Sequence, residues 1–436
     1  MVSSEGAKFS QIRETNGLSS PVPEVIAMNE TTSSTRNVLN RRQFVTSTTA
    51  AALSAAALSQ PLAHAQAGAK VKLGLIGCGG RGTWIADLFK QNGNYDIVAC
   101  ADYFQDRADA CGEKFGIPAG QRFTGFSGYK RMLEGNVVDA VAIESPPYFH
   151  PSQAADAVAA GKHTYVAKPI AVDVPGCQSI AESGKQATAK KLAFLVDFQS
   201  RANEFYQKSI QRVHEGAIGK ITFGEARYHC GQLRAREGQT ANAAEERLRQ
   251  WCFDRVLSGD IITEQNIHSL DVMSWIMNRP PLHVIGSGGQ KARMEGNCFD
   301  HFSLLFQYPD DVSVVFTSKQ YNDGSSDAGI ICDIFGSEGR ISTKYGGPVL
   351  MLGKDKEFVS GKTTDIYKAG AVSNIATFHQ MITTGNFTNP TVAPSVQSTM
   401  VTLMGRTAAY EHRLVTWEEI SKCTNRLDPK LAGLKA

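Results

Sequence analysis

The chain has 436 residues, of which 42% are hydrophobic and 20% charged, which is long enough for two domains with sizeable cores. Its formal net charge of +3 is small, so composition gives no reason to expect nucleic acid or an anionic membrane surface as a partner. The nine cysteines include no C-x-x-C pair. This argues against zinc ribbons and thioredoxin motifs, and we expect mostly buried thiols.

Residues 1–67 are predicted to be a leader. The first 39 residues are polar, and Arg41-Arg42 precedes a modestly apolar run over 46–67. Paired arginines, a weak apolar run and small residues at Ala63 and Ala65 are typical of a twin-arginine secretory signal. The sequence therefore predicts a periplasmic or otherwise exported protein with no membrane span after signal removal. The alternative is a disordered Ala-rich leader with a chance arginine pair.

A glycine-rich turn follows the first predicted strand, 71–76, and opens a predicted helix from Thr83 onward. G-x-G-x-x-G between a strand and a helix is the pattern of a dinucleotide-binding turn. Its glycines allow a tight turn, close approach of the pyrophosphate and close packing of helix on strand, and the helix N-terminus favours phosphate. The predicted cofactor-binding residues of the turn are Gly77, Cys78, Gly79, Gly80, Arg81 and Gly82.

A second predicted strand, 97–101, ends at Asp102, which lies 20 residues after Gly82. An acid at this position binds the adenosine ribose hydroxyls and repels a 2′-phosphate, which favours NAD. Arg107 lies five residues further on and could partly restore NADP binding.

Further alternating units predict a parallel, doubly wound sheet of the α/β class. Strand 137–143 leads to a loop at the carboxyl edge of the sheet, helix 152–160 follows, and strands 163–166 and 192–196 complete the pattern. Ligands bind at the carboxyl edge of such sheets, so the loop supplies three more predicted cofactor-binding residues: Ser145, Pro146 and His150.

The segments GLIGCGGRG, SPPYFH, AGKHTYVAKPI and FLVDFQSR, together with Asp102, resemble the Gfo/Idh/MocA family in order and spacing. The resemblance runs from about Val71 to the end of the chain. It implies an NAD(P)-binding Rossmann domain over 68–198 and an α+β domain over 199–436 with a large, mostly antiparallel sheet. Because such open sheets often support oligomers in the family, it also implies a homo-oligomer.

The family's Glu-Lys-Pro signature reads Ala167-Lys168-Pro169 here. The resemblance implies that Lys168 lies beside the nicotinamide and the substrate hydroxyl, while the absent glutamate removes a polar contact near the cofactor ribose. The second signature, Asp-x-Gly-x-His-x-x-Asp, is matched at His268 and Asp271, with Glu264 in place of its first acid. On one helix, positions 264, 268 and 271 would share a face.

These residues predict the chemistry. A partly desolvated lysine near a second positive charge has a lowered pKa and can take a hydroxyl proton, so Lys168, His268 and Glu264 are the predicted catalytic residues. Which of the three is the formal base stays open. Lys168, His268 and Glu264 are also predicted to contact substrate, with Arg201 and Tyr148. No H-x-x-x-H or G-x-S-x-G pattern occurs, so neither a metal site nor a serine hydrolase is expected.

The remaining chain reads as a sheet domain. We predict strands over 221–228, 301–307, 312–319 and 329–335, a hairpin over 335–341, a helix over 398–410 and a short strand over 413–417.

Three functions fit this sequence. The first is an NAD(P)-dependent oxidoreductase that acts on a secondary alcohol of a sugar, polyol or glycoside and keeps its cofactor tightly bound, because free nicotinamide nucleotide is scarce outside the cytoplasm. The second is an NAD-dependent glycoside hydrolase or lyase that oxidises its substrate transiently. The third is a non-catalytic, dinucleotide-binding sugar sensor, which would need neither Lys168 nor His268.

Overall fold

The computed structural model describes residues 70–233, 242–324 and 328–436, so the predicted leader and its arginine pair lie outside the described residues. Two sheets organise this part of the chain. Within the same ranges, no helix combines the length and the apolar character that crossing a membrane would require.

The first sheet has six parallel strands in the order β3-β2-β1-β4-β5-β6. The strands are β1 (Val71–Ile76), β2 (Tyr95–Asp102), β3 (Arg122–Thr124), β4 (Ala140–Ile143), β5 (His163–Ala167) and β6 (Phe194–Asp197). The helices among and just after them are α1 (Gly80–Asn92), α2 (Gln105–Phe115), α3 (Gly128–Glu134), α4 (His150–Ala159), α5 (Val174–Ala189) and α6 (Glu204–His214). The strand order reverses between β1 and β4, which opens a crevice at their carboxyl ends.

The second sheet has nine strands in the order β14-β13-β12-β11-β7-β10-β9-β8-β15. The strands are β7 (Ile221–Cys230), β8 (His283–Gly289), β9 (His301–Gln307), β10 (Ser313–Gln320), β11 (Gly329–Gly336), β12 (Gly339–Lys344), β13 (Pro348–Leu352), β14 (Phe358–Lys362) and β15 (Val415–Thr416). The helices of this part are α7 (Ala243–Arg249), α8 (Arg255–Ser258), α9 (Ile261–Glu264), α10 (Ile267–Met277), α11 (Ile366–Thr384), α12 (Val392–Glu411) and α13 (Trp417–Ser421). β7 and β10 are parallel and the other pairs antiparallel, which confirms the predicted fold class.

The core of the first sheet has two sides, because successive side chains of a strand point to opposite faces. On β4, Val141 and Ile143 pack with Ala154 of α4. Ala140 and Ala142 pack on the other side with Phe89 of α1. Both faces of the sheet are therefore covered, as a parallel sheet requires.

Helix α11 covers part of the first sheet although it follows the second sheet in the chain. Its Ile375 carbonyl accepts a 3.0 Å hydrogen bond from the Tyr95 hydroxyl, and its Tyr367 ring stacks on Trp84 at 4.7 Å. Just beyond α11, the Asn389 side chain accepts a 2.7 Å hydrogen bond from the Phe194 amide on edge strand β6. The predicted domain boundary at residue 198 separates the strands of the two sheets. It does not separate the helices that cover them, because α11 lies after this boundary and packs on the first sheet.

Candidate active site

The glycine turn after β1 is compact on its inner side and open on its outer side. Gly77 has φ +96°, and a Cβ there would lie 2.6 Å from the Ser145 amide nitrogen. A Cβ on Gly82 would lie 1.8 Å from the Gly77 carbonyl oxygen, whereas one on Gly79 would have only Arg107 Nη1, at 4.0 Å, within reach among the described residues. The first two positions tolerate only glycine, and Gly79 leaves room for a pyrophosphate.

The start of α1 adds to this fit. Its first turn carries no acidic residue, and no side chain of the described residues caps its amides. Free amides at a helix N-terminus, where the helix dipole is positive, are a ready site for phosphate. The chain therefore has the backbone features that a bound dinucleotide requires.

A cavity of about 350 Å³ lies at the carboxyl ends of β1 and β2. Five of the predicted cofactor-binding residues line it together: Gly77, Asp102, Arg107, Ser145 and Pro146. Their convergence on one cavity next to the glycine turn fits the adenosine half of a dinucleotide.

Asp102 is held in place by two main-chain amides at the cavity wall. It accepts hydrogen bonds from the Cys78 amide at 2.7 Å and the Phe104 amide at 2.9 Å. Burial raises the pKa of its carboxyl, and the hydrogen bond from Phe104 opposes that effect. Each carboxylate oxygen has a further lone pair, so both can still accept ribose hydroxyls.

His150 supports the cofactor loop from behind. Its ring nitrogens lie 2.8 Å from the Pro169 carbonyl oxygen and 2.7 Å from the Ser145 carbonyl oxygen. Burial lowers the pKa of this histidine to about 4. Because both ring nitrogens face main-chain carbonyls, the structure gives His150 a positioning role behind Ser145 instead of the direct cofactor contact that the sequence predicted.

Arg81 of the turn extends its side chain to a buried acidic group. Its guanidinium lies 2.6 Å from Asp197 Oδ2 and 3.0 Å from Glu144 Oε2, and it donates to the Tyr367 hydroxyl at 2.7 Å. Burial raises the pKa of Glu144 to about 8, and the positive charge of Arg81 opposes this rise. The arginine thus ties the turn to the ends of β4 and β6.

Lys168 follows β5 and interacts electrostatically with Arg81 and Asp197. Its Nζ donates a 2.6 Å hydrogen bond to the Glu264 carbonyl oxygen and lies 3.6 Å from Glu264 Oε1. Burial lowers the pKa of this lysine, and the nearby charge of Arg81 lowers it further, against the effect of Glu264. A lysine with a lowered pKa is available as a proton acceptor closer to neutral pH.

His268 completes this arrangement from α10. Its ring lies 5.0 Å from the Tyr345 ring, centroid to centroid. Burial holds its pKa well below the usual range, with contributions from the charges of Lys168 and Arg81. The imidazole is therefore neutral at pH 7, with one ring nitrogen that donates a hydrogen bond and one that accepts a hydrogen bond.

The expectation that positions 264, 268 and 271 share a face of one helix is wrong. Glu264 ends α9, and α10 begins only at Ile267, so Glu264, His268 and Asp271 do not share one helical face. Asp271 is fully buried and faces Arg201, whose Nε and Nη2 bind it at 3.0 and 2.8 Å. Glu264 contacts Lys168 through its main-chain carbonyl and its carboxylate, so it orients the lysine.

Two predicted substrate contacts are placed elsewhere. The guanidinium of Arg201 is engaged by Asp271 and lies 4.9 Å above the Trp275 ring. Tyr148 packs edge-on to Phe149 at 5.2 Å, in a cluster that includes Leu431 and Leu434. Neither side chain belongs to the group formed by Lys168, Glu264 and His268.

The sequence did not predict four residues that contact Arg81 or His268. They are Glu144, Asp197 and Tyr367, which contact Arg81, and Tyr345, which contacts His268. Two of them had a readable signal, because Glu144 directly follows β4 and Asp197 ends β6, at the sheet edge where ligands bind. The tyrosines lie after β12 and at the start of α11, and their spacing carries no signal that could have found them.

A three-thiol cluster was also missed. The sulfur atoms of Cys78, Cys100 and Cys111 lie within 4.8 Å of one another, and all three residues are buried. Across the described residues, none of the nine cysteines forms a disulfide. The cluster lies beneath the turn, on residues that are 11 and 22 positions apart in the sequence.

Comparisons with known proteins agree with this geometry. Residues 71–195 match the model of an oxidoreductase family with an NAD-binding Rossmann fold, and residues 206–342 match the GFO/IDH/MocA C-terminal domain. Inositol 2-dehydrogenase from Salmonella paratyphi B is 23% identical over 273 residues, which is 62% of this chain and 72% of that protein.

Two further matches extend the comparison. A glycosyl hydrolase family 109 protein from Shewanella pealeana is 28% identical over 215 residues, which is 44% of this chain and 46% of that protein. The crystal structure of an oxidoreductase domain protein from Kribbella flavida superposes with a TM-score of 0.66 at 18% identity, over 80% of this chain and 99% of that one.

Proposed function

The chain belongs to the Gfo/Idh/MocA family of NAD-binding oxidoreductases, and on that premise we propose that it oxidises a secondary alcohol of a sugar, polyol or glycoside. The observation that carries this proposal is the buried Lys168 amine, held by Glu264 beside the neutral His268 and joined electrostatically to Arg81 of the glycine turn. The proposed proton acceptor directly follows β5, at the same sheet edge as the dinucleotide turn.

Each residue has a distinct part in this reaction. NAD, when bound, supplies the nicotinamide ring that accepts a hydride from the carbinol carbon. Lys168, when its amine is neutral, takes the proton of the substrate hydroxyl, and its lowered pKa increases the neutral fraction near pH 7. Glu264 fixes the direction of the amine through its carbonyl oxygen. His268 hydrogen-bonds the same or a neighbouring hydroxyl and so sets the orientation of the carbinol C–H bond.

Redox-neutral glycoside cleavage is a second candidate, and the likeness to the glycosyl hydrolase family 109 protein favours it. Oxidation beside a glycosidic bond acidifies a neighbouring C–H bond, and elimination then expels the aglycone, which leaves with a proton. Water adds to the resulting double bond in a hydrolase, whereas a lyase omits this addition, and return of the hydride leaves the cofactor unchanged. The same proton acceptor serves this route. A sugar sensor is the third candidate, and the buried Lys168 with its lowered pKa argues against it, because binding alone needs no such group.

The test mixes the purified protein, loaded with NAD, with polyols, sugars and aryl glycosides. Lasting absorbance of reduced nicotinamide supports net oxidation, released aglycone without it supports glycoside cleavage, and no change with any compound contradicts both. Lys168→Met should reduce turnover by about 10²–10⁴-fold while NAD stays bound. The matched control is Lys162→Met, because that lysine stands at the opposite end of β5 and binds Asn136. Equal turnover in the two variants would refute the role of Lys168.

We also propose that the protein is exported with its cofactor already bound. The support is the sequence of residues 1–67 alone, with its arginine pair and apolar run. Twin-arginine export moves folded proteins, which suits a cofactor acquired in the cytoplasm. Cell fractionation of the full chain and of an Arg41→Lys/Arg42→Lys variant tests this, and an unchanged distribution would contradict it.

We further propose that the protein forms a homo-oligomer through the outer face of the second sheet. Ile285, Leu305 and Val315 stand opposite one another on β8, β9 and β10, and their exposed fractions are 46%, 38% and 47%. A contiguous exposed apolar row of this kind marks an interaction surface.

A further inference from the structure

The adenosine cavity has a wall that comes from far along the chain. Leu248 of α7 lines the same cavity as Gly77 and Asp102, although 146 residues separate it from Asp102. Leu248 itself is almost fully buried. A ligand in this cavity would therefore be covered by α7 as well as held by the first sheet.

Helix α7 is fastened to the loop that follows β2. The Tyr103 hydroxyl donates a 2.8 Å hydrogen bond to Glu245. Arg249 pairs with Asp106 at 2.9 and 3.1 Å, and its guanidinium lies 3.9 Å from the centre of the Phe104 ring. Because Tyr103 and Phe104 also line the cavity, these contacts hold α7 against the cavity.

Residues 424–436 form a second layer behind that wall. Arg247 of α7 donates a 3.1 Å hydrogen bond to the Pro429 carbonyl. Lys435 is bound on three sides: its amide contacts the Tyr103 hydroxyl at 3.3 Å, its carbonyl accepts from the Phe126 amide at 3.3 Å, and its Nζ donates to Thr124 at 2.8 Å.

Apolar contacts reinforce this layer. Leu431 and Leu434 pack in one cluster with Tyr103, Phe126 and Phe149. Phe126 and Phe149 themselves line the cavity. The segment thus stabilises the very side chains that would touch the adenosine.

We propose that α7 and residues 424–436, together called the clasp, close over the adenosine half of NAD and limit its rate of release. The proposal rests on the proposed function in so far as NAD is the tightly held cofactor. The Arg249–Asp106 pair is partly exposed and contributes little alone. Release requires the helix, the segment and the apolar cluster to separate together, so the clasp acts on the dissociation rate, which is where most affinity differences arise.

The clasp lies at the cavity that fits the adenosine half of NAD. Lys168, Glu264 and His268 lie outside the lining of its cavity. Loosening the clasp should therefore speed cofactor release and leave turnover at saturating NAD unchanged. A substitution that merely unfolds the protein would lower both turnover and thermal stability.

The experiment follows release of NADH from the holoprotein by stopped-flow fluorescence, with excess NAD as the chase. Leu431→Ala/Leu434→Ala should release NADH about tenfold faster, which corresponds to about 1.4 kcal/mol. The matched control is Lys422→Ala, which removes an exposed ion pair with Glu418 just before the segment, and it should release NADH at the original rate. Equal rates in all three proteins would overturn the proposal.

A second measurement needs no variant, in case the double substitution fails to fold. Amide hydrogen exchange of α7 and of residues 424–436 in the full chain should slow when NADH is added. Exchange rates that do not change when NADH is added would overturn the proposal. A protein that binds no NADH at all would instead refute the proposed function, whereas normal NADH binding and turnover with an unchanged release rate would remove the clasp alone.

Discussion

The Glu144→Gln variant should gain stability relative to the unsubstituted protein as the pH rises. The buried Glu144 carboxyl has a pKa of about 8, above its usual 4.5, chiefly because of burial, with Asp197 adding to the rise and Arg81 opposing it. Between these two pH values the folded protein retains a proton that the unfolded chain has lost. The stabilisation is thus complete below about pH 4.5 and disappears as the pH rises through about 8.

The size of the effect follows from the shift in the pKa of Glu144. At about 1.36 kcal/mol per pH unit, a change of pKa from 4.5 to about 8 corresponds to about 5 kcal/mol of unfolding free energy. Glutamine has the same shape and does not titrate in this range. The difference in unfolding free energy, Glu144→Gln minus the original protein, should therefore grow by up to about 5 kcal/mol between pH 4.5 and pH 8.

Urea unfolding of both proteins without NAD, at several pH values and constant ionic strength, measures this difference. The substitution also alters the contact with Arg81, which offsets the stability of the variant. The change of the difference with pH, and not its absolute size, therefore reports the titration of Glu144. Glu204→Gln alters an exposed carboxylate that pairs with Lys208 and serves as the control. A difference for Glu144→Gln that is flat across the range would mean that Arg81 outweighs burial and that the carboxyl is ionised throughout.

Two further predictions follow from the cofactor cavity and the sheet. Asp102→Ala should weaken NAD binding by about tenfold, the effect of roughly one charged hydrogen bond, and should reduce discrimination against NADP because Arg107 remains; fluorescence titration with both cofactors checks this, and unaltered affinities would refute the adenosine assignment. Leu305→Lys should dissociate the proposed homo-oligomer, because it places a charge in the exposed apolar row. Light scattering measures the molar mass of both proteins, and a monomeric unsubstituted protein would contradict the proposed interface.

Patterns of sequence predict the first sheet well because its strands are short, apolar and punctuated by glycine. Strand β1 has the predicted bounds, 71–76, and so does β9 of the second sheet, 301–307. Boundaries fail where a turn looks like a strand. Residues 137–139 are apolar enough to extend β4, yet the Asp139 carboxylate binds the Lys72 amide at 3.0 Å, so β4 begins only at Ala140.

The candidate site was predictable only in part. Lys168 and His268 were predicted from the resemblance, because each lies within one of the two family signatures. The partners of those residues were not readable, since Glu264 reaches Lys168 through its main-chain carbonyl, an atom that every residue possesses. Arg201 had the right chemistry for a substrate contact, but whether an arginine faces a ligand or a buried acid such as Asp271 depends on tertiary packing.

The position of α11 bears on how the nucleotide-binding half of the molecule is assembled during synthesis. Ile375 and Phe378 of α11 share a hydrophobic cluster with Leu73 and Leu75 of β1. The ribosome must therefore add about 300 residues after β1 before that cluster can be completed. A nascent chain released at residue 198 would expose an apolar surface and an unpaired strand edge. The nucleotide-binding half is therefore complete only in a chain that has been translated beyond α11.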